Sequence, residues 1–344
     1  MPRGDWVSVS VKRLLYGRLL EVARRSNLSV NDLIEKLLNS QVNVGDLRCP
    51  LLFLAGADSA LRVASESGVR VNWLLSAGRY WRGGGFRGYE CDLFYAKGLG
   101  GLIFLDSGAQ QFYRKFRGFS YPYTAGEYIR LAVGMGVDLV ATLDLPLDLL
   151  VPRGMSVAEG IKRTVELGVG VVAEAENLGM LHKVVPVLQG YDDPSQWLEC
   201  LDLYKQHGIT PSRFRTWGVG SLCMARSRRL VESVIREIRR ALGEGAKIHV
   251  FGLSLNHLRR VYGLIDSYDT SAWVYWAKID GAVLVWSPRK RAFIHLQVRD
   301  GKRYDTEELM EANLLQIIEM HKWLCEQLWR SSTPQICGET RGLT

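Results

Sequence analysis

A chain of 344 residues, 47% of them apolar and 10% aromatic, holds enough apolar material for a sizeable core, which excludes wholesale disorder. The net charge of +8 suits a polyanionic partner. No stretch is apolar for long enough to span a bilayer and MPRGDWVSVSVKRLL has no apolar signal core, so a cytoplasmic protein with no membrane partner is expected. The six cysteines, Cys49, Cys91, Cys200, Cys223, Cys325 and Cys337, stand singly, with neither metal-ligand spacing nor a disulfide framework. They read as reduced thiols.

Residues 1–45 differ in texture from the rest. VSVSVK (7–12) alternates Val7, Val9 and Val11 with Ser8, Ser10 and Lys12, the period of a half-buried strand. Leu14, Leu15, Leu19, Leu20 and Val22 then recur at helical spacing. Asn27-Leu28-Ser29 makes a turn, and Ser29 caps a second helix over VNDLIEKLLNS. Strand, helix, turn and helix in about 40 residues make too small a core for a monomer. The segment resembles the ribbon-helix-helix DNA-binding fold. That resemblance implies a homodimer with paired N-terminal strands, with Ser8, Ser10 and Lys12 facing bases and Ser29 to Asn31 meeting a phosphate. A helical cap packed on the main domain is the alternative.

After residue 45 short apolar runs alternate with amphipathic stretches. The runs are LLFLAGA (51–57), VNWLLSAG (71–78), GLIFLDSG (101–108), DLVATLDLP (138–146), VVPVLQG (184–190), RTWGVGS (215–221), IHVFGLS (248–254) and LIDSYDTSAW (264–273). Helical patterns such as SVAEGIKRTVELGVG, SQWLECLDLYKQHG and RRLVESVIREIRRALG separate most of them. Eight strands with helical crossovers predict an α/β chain whose residues 46–330 form a (β/α)8 TIM-like barrel, with 331–344 as a flexible tail. A doubly wound sheet is the alternative, but no G-x-G-x-x-G follows the first strand.

In such a barrel chemistry sits where strands end. The third run ends in Asp106-Ser107, the fourth in Asp144, the fifth in Gln189, the sixth in Gly220-Ser221, the seventh in Gly252 and the eighth in Asp269. One Asp alone reads as a helix cap. Three carboxylates and an amide at one mouth point to glycosidic-bond chemistry, one carboxylate as nucleophile and another as acid or base. Gln189 and Asp144 offer the donor and acceptor pattern that reads a heterocycle edge.

LDSGAQQ resembles the D-S-G-G-x-Q segment of the tRNA-guanine transglycosylases. LDLP, VLQG, GVGSL, VFGL and SYDTSAW follow in that family's order, so the resemblance covers residues 50–328. It implies base exchange at C1′ through a covalent enzyme–nucleic acid intermediate. Asp269 would be the nucleophile and Asp106 the general acid/base. Ser107, Asp144, Gln189 and the backbone at Ser221-Leu222 would hold a purine or 7-deazapurine, with Phe251 and Gly252 against it. Three departures stand out. Gln110 occupies the place of a base-stacking aromatic, so that stack is lost or moved to Phe112 or Tyr113. Ser221 replaces a glycine. The family's C-x-C-x-x-C zinc ligands are missing, since residues 276–312 contain no cysteine and Ala312 stands in place of the later His. No metal and no other cofactor is expected.

The missing zinc ligands and the ribbon-helix-helix-like head favour DNA over tRNA as the partner, with a free 7-deazapurine base such as preQ0 as co-substrate. A tRNA-guanine transglycosylase and a non-enzymatic DNA-binding regulator with a purine-sensing barrel are the alternatives. Arg226, Arg228, Arg289 and Arg291 are candidates for a phosphate track. RYWRGGGFRGYE (79–90), with Arg79 and Arg82, reads as a mobile loop that stacks on or clamps an unpaired base.

Overall fold

The computed structural model describes residues 49–56, 59–115, 120–223, 227–290, 292–297 and 305–332. The chain divides into two units, Met1–Arg48 and Cys49–Thr344, and the account below concerns the second. The expected ribbon-helix-helix segment with Ser8, Ser10 and Lys12 lies outside the described residues. So do Arg226, Arg291 and residues 333–344 of the expected tail.

Eight apolar runs form one parallel sheet. They are β1 (Leu51–Ala55), β2 (Val71–Ser76), β3 (Gly100–Asp106), β4 (Leu139–Ala141), β5 (Val184–Val185 and Val187–Leu188), β6 (Thr216–Val219), β7 (Lys247–Val250) and β8 (Ser267–Thr270). All eight coincide with runs read from the sequence. β1 pairs with both β2 and β8, so the sheet curls round on itself. The one break in the ladder falls inside β5. Val184 and Val185 pair with β4, while Val187 and Leu188 pair with β6. Pro186 lies between these halves and has no N–H to donate. Its carbonyl accepts from Gly218 N at 2.8 Å, and Thr142 Oγ1 takes the Val187 N–H at 3.0 Å. The result is a nearly closed, TIM-like barrel flanked by helices.

Alternation along the strands separates two cores. Phe53, Leu74, Phe104, Ala141, Val185 and Val187 fill the barrel interior, with Phe251 packed against them. Neighbouring strand residues face the helices, as Leu52, Leu54, Trp73, Leu105, Trp217 and Tyr268 do. Crossover helices begin where capping residues demand it. Thr124 and Glu127 form a reciprocal capping box before Ala125–Met135, and Asp193 with Gln196 does the same before Pro194–Gln206.

After β8 a short helix (Ala272–Tyr275) runs into a π-helical turn (Trp276–Asp280) and an antiparallel hairpin of Ala282–Ser287 with Ala292–Gln297. The helix Thr306–Ser332 then packs against this hairpin. Its fully buried Asn313 donates to Ala282 O at 2.9 Å and accepts from Leu284 N at 2.8 Å; Gln316 Oε1 accepts from Trp286 N at 2.9 Å. This hairpin occupies the stretch in which the resemblance would place zinc ligands. A side-chain amide ties it to the helix instead.

Cys49 and Cys325, read from the sequence as separate reduced thiols, are joined in a disulfide across 276 residues. Sequence spacing cannot show such a pair, because the fold alone brings the residue preceding β1 to the last helix. No described helix is long and apolar enough to cross a membrane.

Candidate active site

Strand ends deliver their polar residues to one cavity of about 460 Å³ at the C-terminal mouth of the barrel. Asp106, Ser107, Asp144, Gln189, Ser221, Phe251, Gly252 and Asp269 all line it, as does Arg79. Nine of the expected site residues are thus brought together around one cavity. Leu222 does not line the cavity, because its side chain is fully buried in the outer core.

The base-binding candidates form one hydrogen-bonded chain. Ser107 Oγ donates to Asp144 Oδ1 at 2.7 Å, and Gln189 Nε2 donates to Asp144 Oδ2. Ser221 Oγ donates to Gln189 Oε1 and accepts from Leu147 N at 2.9 Å. Ser221 has φ 58, the left-handed region that favours glycine. The backbone shape expected of a glycine is thus kept, and the serine hydroxyl is spent on positioning Gln189. Gly220 is needed for space, since a Cβ there would lie 2.3 Å from Gln189 Nε2.

Beneath Asp144 and Ser107 lies a set of tyrosines that sequence reading missed. Tyr121 OH donates to the Asp144 carbonyl at 2.7 Å, Tyr123 OH donates to the Ser107 carbonyl, and Tyr128 OH donates to the Leu105 carbonyl at 3.1 Å. Burial holds all three phenols well above their ordinary range, so each is a neutral donor. Only their place in an unremarkable loop and helix start (FSYPYTAGEY) hid them.

Asp106 ends β3, where Gly108 N at 3.2 Å and Ser76 Oγ at 3.3 Å donate to its Oδ2. Burial, reinforced by the neighbouring charges of Asp144 and Asp269, pushes its carboxyl up to about 7. Burial likewise raises Asp144 to about 6, against the opposing pull of Ser107, Gln189 and Tyr121. Gly108 adopts φ 77 to aim its N–H back at Asp106, and a Cβ there would lie 2.3 Å from Gly78 N.

Asp269 is nearly buried on β8, and its Oδ1 accepts from Gly252 N at 2.8 Å. The fully buried His249 of β7 sits beside it, with Nε2 3.4 Å from Asp269 Oδ1 and Nδ1 2.9 Å from Ser267 Oγ. Sequence reading did not single out His249, which lies inside an apolar strand.

Two expectations are corrected. Phe112 and Tyr113 do not replace the missing stacking aromatic: both are buried, packed against Tyr121, and neither lines the cavity. Gln110 does line it, and the aromatic at the rim is Tyr275, 55% exposed beside the still more exposed Ile279. Residues 79–90 are not a free loop. Trp81–Arg82 pairs with Gly85–Phe86, and Trp81 and Phe86 pack on Tyr123 at 5.3 and 4.8 Å between ring centroids. Arg82, Arg228 and Arg289 are exposed and lie outside the cavity lining.

The residues present do not fit the zinc set of the resembled family, for want of any cysteine between 276 and 312. With the geometry described, comparison with known proteins is informative. Residues 133–289 match the model of the DpdA family, DeoxyPurine in DNA protein A, so over that stretch the chain is similar to it. The matched stretch contains Asp144, Gln189, Ser221, His249, Phe251 and Asp269, whereas Asp106 precedes it. The match is consistent with the DNA 7-deazaguanine branch of the transglycosylases and points to a transglycosylase-type enzyme. No curated protein matches the chain.

Proposed function

We propose that this chain exchanges guanine in DNA for a 7-deazapurine of the preQ0 type through a covalent Asp269–C1′ intermediate. The observation that carries the reading is the shared cavity of Asp106 and Asp269, one carboxyl held near neutrality and the other anchored by a backbone N–H. The similarity to a family named for deoxypurine in DNA supports DNA as substrate.

In the first half-reaction a carboxylate oxygen of Asp269 bonds to C1′ while the bond from C1′ to the base nitrogen breaks. The electron pair leaves with guanine, and protonated Asp106 supplies its proton. In the second, the incoming base gives a proton back to Asp106, its nitrogen bonds to C1′, and the Asp269 ester is released. No oxidant or reductant is needed. Asp144, Gln189 and Ser107 present acceptors and donors to the base edge, and Phe251 lies against the base face. Attack on C1′ requires the base to be out of its stack, so duplex DNA must be opened or the nucleotide extruded. Arg79 at the cavity, with Arg82, Arg228 and Arg289, contacts phosphates, and the chain acts as a homodimer through residues 1–45.

The test is to incubate the protein with labelled guanine-containing DNA and, separately, tRNA, and then denature. A labelled adduct with DNA that disappears in Asp269→Asn is expected. An adduct that survives Asp269→Asn overturns the nucleophile, and labelling of tRNA alone overturns the substrate.

A further inference from the structure

A second cluster of chemically active side chains lies away from the cavity. Cys49 precedes β1, and His321 and Cys325 share one face of the last helix at i, i+4 spacing. Their donor atoms all lie within 4.8 Å of one another, and all three residues are partly buried. None of them lines the cavity.

We propose that, when the Cys49–Cys325 disulfide is reduced, Cys49, His321 and Cys325 bind one soft divalent metal ion of the zinc type. The imidazole carries the argument. His321 Nε2 faces both sulfurs, 3.7 Å from Cys49 Sγ and 3.8 Å from Cys325 Sγ. Two ligands of a tetrahedral zinc ion, one sulfur and one nitrogen, are about 3.6 Å apart for ordinary bond lengths. The other ring nitrogen, Nδ1, is 3.1 Å from both Tyr262 OH and Tyr268 OH. Those hydroxyls set the ring's orientation from behind, as the outer partners of metal-binding imidazoles do. Tyr262 OH also lies 3.2 Å from Cys49 Sγ and 3.3 Å from Cys325 Sγ, within reach to donate to a thiolate. A disulfide closes with its two sulfurs alone and gives no role to an imidazole directed at both.

The two states interconvert with a dithiol as reductant. Its two electrons and two protons convert the Cys49–Cys325 disulfide to two thiols while the dithiol becomes a disulfide. Metal binding then releases both thiol protons to solvent. Either state ties the chain before β1 to the last helix, but only the reduced one takes a metal. This set is unrelated in position to the cysteine triplet absent from residues 276–312, and it is independent of the reaction proposed for the cavity.

The full-length protein, reduced with a dithiol, loaded with zinc and freed of excess metal, is expected to retain about one zinc per chain by elemental analysis. Cys49→Ser, Cys325→Ser and His321→Ala should each lower this at least tenfold, while Cys91→Ser, an exposed free cysteine, should not. A second measurement needs no variant. Zinc should protect two cysteines of the reduced wild-type protein from alkylation, counted by mass, and a chelator should expose them. Absence of bound zinc in the reduced protein, or equal alkylation with and without zinc, overturns the proposal. So does zinc retained undiminished by both cysteine variants.

Discussion

His249 Nε2 lies 3.4 Å from Asp269 Oδ1, longer than a formed hydrogen bond, and has no other partner. The ring is held in place from its other side by Ser267 Oγ, and Phe53, Phe104 and Phe251 wall it in. With Nε2 as the protonated nitrogen, a small turn of the carboxylate closes this gap, so the ring can steer Asp269 as it bonds to C1′ and as it leaves. We propose His249 as a positioning residue for Asp269.

The first prediction follows. His249→Phe keeps the aromatic packing and removes both nitrogens. Losing the donor that closes onto a charged group should slow adduct turnover about 10- to 100-fold. His249→Gln, which retains a donor, should recover part of that loss. The readout is the single-turnover rate from about pH 5 to 9, with affinity for the free base measured alongside. The raised carboxyls of the same cavity, Asp106 and Asp144, shape that profile in every variant. Unchanged rates in His249→Phe would sink the positioning role.

The second prediction concerns Ser221, whose left-handed backbone is offset by its hydroxyl bonds to Gln189 and to Leu147 N. Ser221→Ala keeps the unfavourable φ and loses the bonds, whereas Ser221→Gly loses the bonds but relieves the backbone. The alanine variant should be less stable than the glycine variant by about 1 kcal/mol, measured by urea unfolding. Both should bind the base more weakly because Gln189 is no longer held. An alanine variant as stable as the glycine one would refute the account.

The third prediction tests the amide that secures the hairpin. Asn313→Leu fills similar space but leaves Leu284 N and Ala282 O unpaired in the interior. The expected cost is about 2–4 kcal/mol. Amide exchange should accelerate over residues 282–287 before it does in β1 to β8. Uniform acceleration across the barrel would argue against a local role.

Much of the barrel was legible because each strand is a short apolar run that stops at a polar residue. Asp106, Asp144, Gln189 and Asp269 were visible for the same reason, since strand ends share one mouth. What stayed hidden depends on side-chain direction or distant convergence. His249 looks like one more position of an apolar strand until alternation turns it toward Asp269. Tyr121 and Tyr123 sit in a loop whose sequence carries no period. Cys49 and His321 are 272 residues apart, and only the closing of the barrel brings them together. The hairpin at Trp81 to Phe86 reads as a mobile loop in the sequence because its glycines are visible there and its anchor, Tyr123, is not.

The last prediction uses the raised carboxyl of Asp106. Its folded value of about 7 stands well above its ordinary 3.8, chiefly because burial disfavours the charge. Between those two values the unfolded chain has lost the proton and the folded chain still holds it, so stability falls as pH rises through this window and levels off above about 7. Asp106→Asn removes the ionisation while keeping a carbonyl for Gly108 N or Ser76 Oγ. The variant should therefore be more stable than the parent at pH 8, by about 1–3 kcal/mol after allowance for coupling to Asp144, and little different at pH 4. Urea unfolding at the two pH values measures this. The same variant should lose adduct formation, because the proton for the departing base is gone. Stabilisation at pH 8 with loss of reaction would show a carboxyl kept at a cost to the fold for its chemistry. An equal change in stability at both pH values would mean that Asp106 is not buried and protonated as described.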